Sequence, residues 1–182
     1  MPFRFRPLEI PAVVLVEAPP LGDSRGFFRE LHRRSDFEAA GMRETFVQDN
    51  FSHSECGILR GLHFQKPPRA QAKLVAVLKG EIWDVAMDLR RASPTYGRWV
   101  AETLSDANAR MLYVPAGFAH GFCVVSESAD VLYKVSDVYA PELDRGVRWD
   151  DPALAIPWPV RDPKLSPKDL KLPPLSAADN PF

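Results

Sequence analysis

The sequence predicts an all-β barrel or sandwich, on three observations. Eight short segments are rich in β-branched and aromatic residues, Gly, Pro, Asn or Asp stands between many of them, and only one helical signal interrupts the series. The segments are Ala12–Glu17, Thr45–Ser52, Lys73–Leu78, Glu81–Leu89, Trp99–Leu104, Arg110–Val114, Gly121–Val125 and Val131–Tyr139. The helical signal is Ser35-Asp36-Phe37-Glu38, a capping box, with Gly41 as its stop. It predicts one short helix on the outside of the barrel.

Successive side chains of a strand point to opposite faces, so parity sorts the polar residues. Phe46, Gln48 and Asn50 share one face, and Lys73, Val75 and Val77 another. Val131, Tyr133, Val135, Asp137 and Tyr139 fall together, as do Ile82, Asp84 and Ala86. Together these polar groups suit a barrel interior, the usual place for a ligand in this architecture. Arg60 and His63 differ in parity, so sharing a face requires a bend or bulge at Gly61.

Proline makes up 18 of the 182 residues and concentrates after residue 140. It can continue neither a helix nor a central strand. Residues 140–182 are therefore expected to wrap the barrel as coil and turns, anchored by Trp149, Ile156 and Trp158. No repeat or linker divides the chain, which is expected to form a single domain over residues 1–182.

A net charge of −1 shows no basic stripe and points away from nucleic-acid polymers. No apolar run reaches membrane-spanning length, Met1–Arg6 lacks a signal-like apolar stretch, and Cys56 and Cys123 have no disulfide or metal spacing. These features predict a cytoplasmic protein with no membrane partner.

Two fragments narrow the fold: Arg60-Gly61-Leu62-His63-Phe64-Gln65 and Pro115-Ala116-Gly117-Phe118-Ala119-His120. They resemble the histidine motifs of cupins, jelly-roll barrels of the double-stranded β-helix type, here with a few short peripheral helices. A metal-binding cupin has a second His two residues after the first and a Glu soon after. Position 65 is Gln, and the next acid after it is Glu81. His63 and His120 supply two ligands where a catalytic metal site usually has three, so no metal and no cofactor is expected.

Longer blocks carry a more specific likeness. Asp23–Glu30, Gln48–Ser52, Arg60–Gln65, Gly80–Arg90, Tyr113–Phe122, Trp149–Pro152 and Leu165–Asp169 resemble, in order along almost the whole chain, the dTDP-4-dehydrorhamnose 3,5-epimerases. That resemblance implies a homodimeric cupin acting on a dTDP-sugar. It implies His63 as general base, Asp169 as its partner carboxylate, Tyr133 as general acid and Lys73 as the cation beside the developing enolate. It also implies substrate contacts from Arg25, Glu30, Gln48, Asp49, Asn50, Arg60, His120, Asp144 and Lys168, with Tyr139 stacking on the thymine. Asp144 stands where the family commonly has Glu, so a contact there is expected to be shorter or lost.

The residue types suit that chemistry. A proton next to a ketone is weakly acidic, so a near-neutral base must act while enolate charge is stabilised. Histidine titrates in that range, and a carboxylate fixes its tautomer. Inversion needs a proton from the opposite face, a role for Tyr133 if a nearby cation lowers its pKa. Arg25 and Arg60 suit bidentate binding of a diphosphate. A monofunctional 3- or 5-epimerase and a non-catalytic nucleotide-sugar-binding cupin are the competing readings.

Overall fold

The structure, a computed structural model, describes residues 3–182; Met1 and Pro2, the head of the stretch read for a leader, lie outside the described residues. The chain order is β1 (Arg4–Pro7), β2 (Val14–Glu17), a hairpin of β3 (Leu21–Asp23) and β4 (Gly26–Phe28), α1 (Arg34–Ala39), β5 (Gln48–Glu55) and β6 (Leu59–Gln65). There follow β7 (Lys73–Lys79), β8 (Glu81–Asp88), β9 (Trp99–Ser105), β10 (Arg110–Val114), β11 (Phe118–Val124), β12 (Ser128–Val135) and β13 (Asp144–Gly146).

Two antiparallel sheets make the barrel. One runs β1-β2-β10-β7-β12-β5 and the other β13-β6-β11-β8-β9. This is the jelly-roll arrangement of cupins, in which neighbouring strands come from distant parts of the sequence. Between the sheets lie Val75, Val77, Ile82, Ala86, Phe122 and Val131, with Tyr133 packed against them. The parity reading holds for these residues, but Asp137 and Tyr139, grouped with Val131 and Tyr133, follow the end of β12 at Val135. It fails for Phe46, which lies before β5 begins and packs outside, beside Phe37 and His32.

The helix starts differently from its expectation. Arg33 is its N-cap and no side chain caps it, while Ser35 lies inside the helix and bonds Asp36 at 3.2 Å. Ion pairs hold this end instead: Arg33 with Glu30 at 2.6 Å and with Asp36 at 3.7 Å, and Arg34 with Glu38 at 2.6 Å. Phe37, buried against Phe3 and Phe5, sets which face turns inward. Gly41 ends the helix as expected, at a φ of 93° that favours glycine.

Strand β6 is absent from the eight predicted segments, and it carries the site. Its alternation is broken: His120 of β11 pairs with His63 and Phe122 with Arg60, so β6 spends one residue more than its partner. Gly61 sits at this bulge with φ 126°, and a Cβ there would lie 2.5 Å from the Gly121 Cα. The bulge is what brings Arg60 and His63 to one face despite their opposite parity.

After Ala140 the chain crosses the outer face of the five-stranded sheet. Val147, Leu154, Ile156, Trp158, Leu175 and Phe182 cover Leu62, Phe64, Val85 and Met87. Ile156 and Trp158 pack against this cluster; Trp149 contributes its carbonyl, which accepts from the Trp158 indole at 2.8 Å.

Candidate active site

Both sheets line a cleft of about 480 Å³ at one end of the barrel. From the five-stranded sheet come Arg60, His63, His120 and Phe122; from the other come Lys73 and Tyr133; the C-terminal segment adds Lys164, Ser166, Lys168 and Asp169. A contiguous chamber of about 350 Å³ shares His63, Lys73 and Tyr133 and continues to Gln48, Asn50, Tyr139 and Asp144. His63, Lys73 and Tyr133 thus stand where the two spaces join.

His63 Nε2 lies 2.5 Å from Asp169 Oδ1. The carboxylate arrives from 106 residues away because Lys164 pairs with the start of β6, through Lys164 N to Gly57 O at 2.8 Å and Leu59 N to Lys164 O at 3.1 Å. The turn that follows is held by the Asp169 N–H donating to Ser166 Oγ at 3.1 Å. Burial opposes the charge on Asp169, but hydrogen bonding and charge from His63, with Ser166 and Lys168, hold its pKa below the usual carboxylate value. With Nε2–H given to Asp169, the Nδ1 lone pair of His63 is left to take a proton.

Lys73 Nζ donates to the His63 carbonyl at 3.5 Å. Burial brings its pKa down to about 8, against the pull of Asp144 and Asp84 and with the push of Lys168. Tyr133 departs from its expectation. Burial raises its pKa, and the nearby Arg60 charge only partly offsets this. The phenol is therefore held protonated, which is the state a donor needs.

Arg60 reaches over Ser54, whose hydroxyl accepts from Nε at 3.1 Å and from a terminal nitrogen at 3.0 Å. Among the described residues no carboxylate pairs with it, so its charge is open to an anion. His120 is sealed against Asp84, with Nε2 3.0 Å from both carboxylate oxygens. Gln48 orders the second chamber by donating to Asn50 at 2.7 Å and accepting from the Tyr139 N–H at 2.9 Å. Asp144 accepts from the Tyr139 hydroxyl at 2.9 Å and from Lys168 Nζ.

Three expected residues stand outside this cleft. Asp49 points to the other face of β5 and pairs with Lys134 at 2.6 Å. Arg25 is on the β3–β4 hairpin, paired with Asp23 and with its side chain 87% exposed. Glu30 pairs with Arg33. The sequence reading in turn missed Ser54, Ser166 and the role of Gln65. Gln65, buried where a metal cupin places a histidine, donates to the carbonyls of Arg69 at 2.5 Å and Val138 at 3.0 Å and accepts from the Ala140 N–H at 2.9 Å. It is a clamp on the loop carrying Tyr139.

A cupin barrel whose cleft presents a histidine–carboxylate pair, a buried amine and a protonated phenol defines an enzyme of the acid–base class. The family is shown by comparison with known proteins: a family profile for dTDP-4-dehydrorhamnose 3,5-epimerase matches residues 7–177, and the chain belongs to that family. It is 54% identical to the dTDP-4-dehydrorhamnose 3,5-epimerase of Pseudomonas aeruginosa over 164 residues, 89% of this chain and 90% of the relative. It is 50% identical to that of Shigella flexneri over 163 residues, 89% of this chain and 90% of the relative. The crystal structure of a dTDP-6-deoxy-D-glucose-3,5-epimerase from Legionella pneumophila, in complex with dTDP-4-keto-L-rhamnose, superposes with a TM-score of 0.93 at 45% identity. That match covers 96% of this chain and 94% of the other.

Proposed function

We propose that this protein is an isomerase that converts dTDP-4-dehydro-6-deoxy-D-glucose to dTDP-4-dehydro-L-rhamnose by inverting C3 and C5, within dTDP-L-rhamnose biosynthesis. The observation that carries the reading is the placement of base and acid on opposite sheets. His63 on β6 and Tyr133 on β12 line one cleft, with Lys73 on β7 beside them.

His63 Nδ1 takes the proton from the carbon next to the ketone, and Asp169 stabilises the imidazolium that forms. The Lys73 ammonium compensates the negative charge that gathers on the C4 oxygen. Tyr133 returns a proton to the opposite face, which inverts the centre. Arg60 and Lys168 hold the diphosphate, and Tyr139, ordered by Gln48 and Asp144, stacks on the thymine.

Arg25 and Glu30 enter this scheme through a second copy of the chain. Their hairpin exposes Leu21, Phe27 and Phe28, an apolar patch suited to a homodimer in which each hairpin completes the partner's cleft. Mixing inactive His63→Asn and Arg25→Ala proteins should then restore turnover. Among the described residues no helix is long and apolar enough to cross a membrane. The cytoplasm, where nucleotide sugars are made, is the proposed compartment.

Product analysis by NMR on the 4-keto sugar nucleotide tests the reading. The expected product is inverted at both carbons. Inversion at one carbon alone would replace the reading with a monofunctional epimerase, and unchanged substrate with a binding protein.

A further inference from the structure

The segment that carries Asp169 is pinned at both ends beside the strand that carries His63. At its leading end Lys164 pairs with the start of β6, through Leu59 N to Lys164 O at 3.1 Å. At its trailing end Leu172, the residue after the 3-10 turn Asp169–Lys171, rests on Gly146 of β13, which lies directly opposite His63 of β6. Both ends matter, because His63 Nε2 and Asp169 Oδ1 meet at 2.5 Å and a shift of the turn by one ångström would open that contact.

Position 146 has no room for a side chain. A Cβ there would lie 2.7 and 2.8 Å from the two Leu172 methyl carbons and 2.6 Å from the Leu62 carbonyl oxygen. Residues directly opposite in an antiparallel pair send their side chains to the same face. A side chain at 146 would therefore stand beside that of His63, and Leu172 takes the place instead. The backbone carries this seat to the carboxylate, since the Leu172 N–H donates to Asp169 O at 3.3 Å. Beyond it the chain is fastened again: the Arg148 N–H donates to Pro173 O at 2.9 Å, and the Leu175 N–H to the buried Asp151 carboxylate at 2.6 Å.

We propose that Gly146 and Leu172 are positioning residues for the epimerisation: the bare backbone at Gly146 is a seat for Leu172, and that seat holds the Asp169 carboxylate against the His63 ring. Neither residue touches the reacting atoms. The inference rests on the proposed function and adds what fixes the geometry of its base.

The test is Leu172→Ala in the full chain, which empties the seat. A carboxylate free to drift from its histidine should lower kcat by about 10- to 10²-fold. KM and dTDP affinity should stay near wild type, because Arg60 belongs to β6 and does not move with the turn. Nitrogen-15 NMR of the imidazole gives a reading that a loss of stability alone would not move. The neutral His63 ring keeps its proton on Nε2 while Asp169 accepts it, and a released ring shares the proton between both nitrogens. Leu172→Met refills the seat and should restore both kcat and the Nε2–H signature. Gly146→Ala blocks the seat from below and should repeat the loss; should it or Leu172→Ala fail to fold, Leu172→Val, a smaller truncation, is read in the same way. The NMR signature needs no substrate, so a protein that left the 4-keto sugar nucleotide unchanged would sink the proposed function while the seat was still judged. Wild-type kcat in a folded truncation, or a fall in kcat with the Nε2–H signature intact, would overturn the inference.

Discussion

His63–Asp169 and His120–Asp84 are the same chemical pair built twice, on residues that face each other across β6 and β11. In the first, the histidine side chain is 27% exposed to the cleft and its carboxylate is delivered by a turn of the C-terminal segment. In the second, both partners come from central strands and the carboxylate has no exposure. The difference teaches that where the carboxylate is anchored decides how far a histidine–carboxylate pair opens to the cleft.

The largest effect expected from this contrast is on the front pair. Asp169→Asn should lower kcat by about 10²–10⁴, the range of a positioned acid–base group, with little change in thermal stability because Asp169 sits on a peripheral turn. Steady-state kinetics beside a thermal melt checks both halves. A variant that loses its fold instead would erase the distinction between the two pairs.

Tyr133→Phe sharpens the comparison from the other sheet. Removing the donor leaves the base intact, so solvent deuterium should still enter the substrate while inversion slows by at least about 10². Loss of exchange together with inversion would mean that Tyr133 serves the deprotonation step.

Arg60→Ala tests the anion end of the cleft. It should weaken dTDP binding by about 1.5–3 kcal/mol, the loss of a hydrogen bond to a charged group. Calorimetry on dTDP alone reads this, and unchanged affinity would place the diphosphate elsewhere.

The smallest effect lies away from both pairs, at Asp88. Its buried carboxylate accepts from Arg90, Ser93 and Thr95, and these hydrogen bonds overcome burial to bring its pKa to about 2. Because the folded value is depressed from 3.8, the stabilisation is complete above pH 3.8 and is lost as pH falls through 2. It amounts to about 2 kcal/mol. Urea unfolding across that window should show a steeper decline for the wild type than for Asp88→Asn, and parallel curves would contradict the assignment.

Much of this was legible in the sequence where strands are regular. Alternation alone put Lys73 with Val75 and Val77, and Tyr133 with Val131, on the interior face. Parity grouped Asp84 with Ile82 and Ala86, although it could not say what Asp84 pairs with. Strand β6 was hidden because a bulge at Gly61 destroys the period that reveals a strand. No local pattern links Asp169 to His63, since their meeting depends on a bridge between Lys164 and Ile58 that only the folded chain makes. Asp49 shows the reverse limit: its neighbours Gln48 and Asn50 enter the cleft, and alternation turns it away.

The central claim is that the front pair, and not the sealed one, moves the protons. It is tested most directly by incubating wild-type and His63→Asn protein with the 4-keto sugar nucleotide in heavy water and reading the label by mass spectrometry and proton NMR. Wild-type protein should place deuterium at both C3 and C5, and His63→Asn at neither, with dTDP binding retained. Deuterium persisting in His63→Asn would remove His63 as the base, and wild-type label at a single carbon would contradict the double epimerisation.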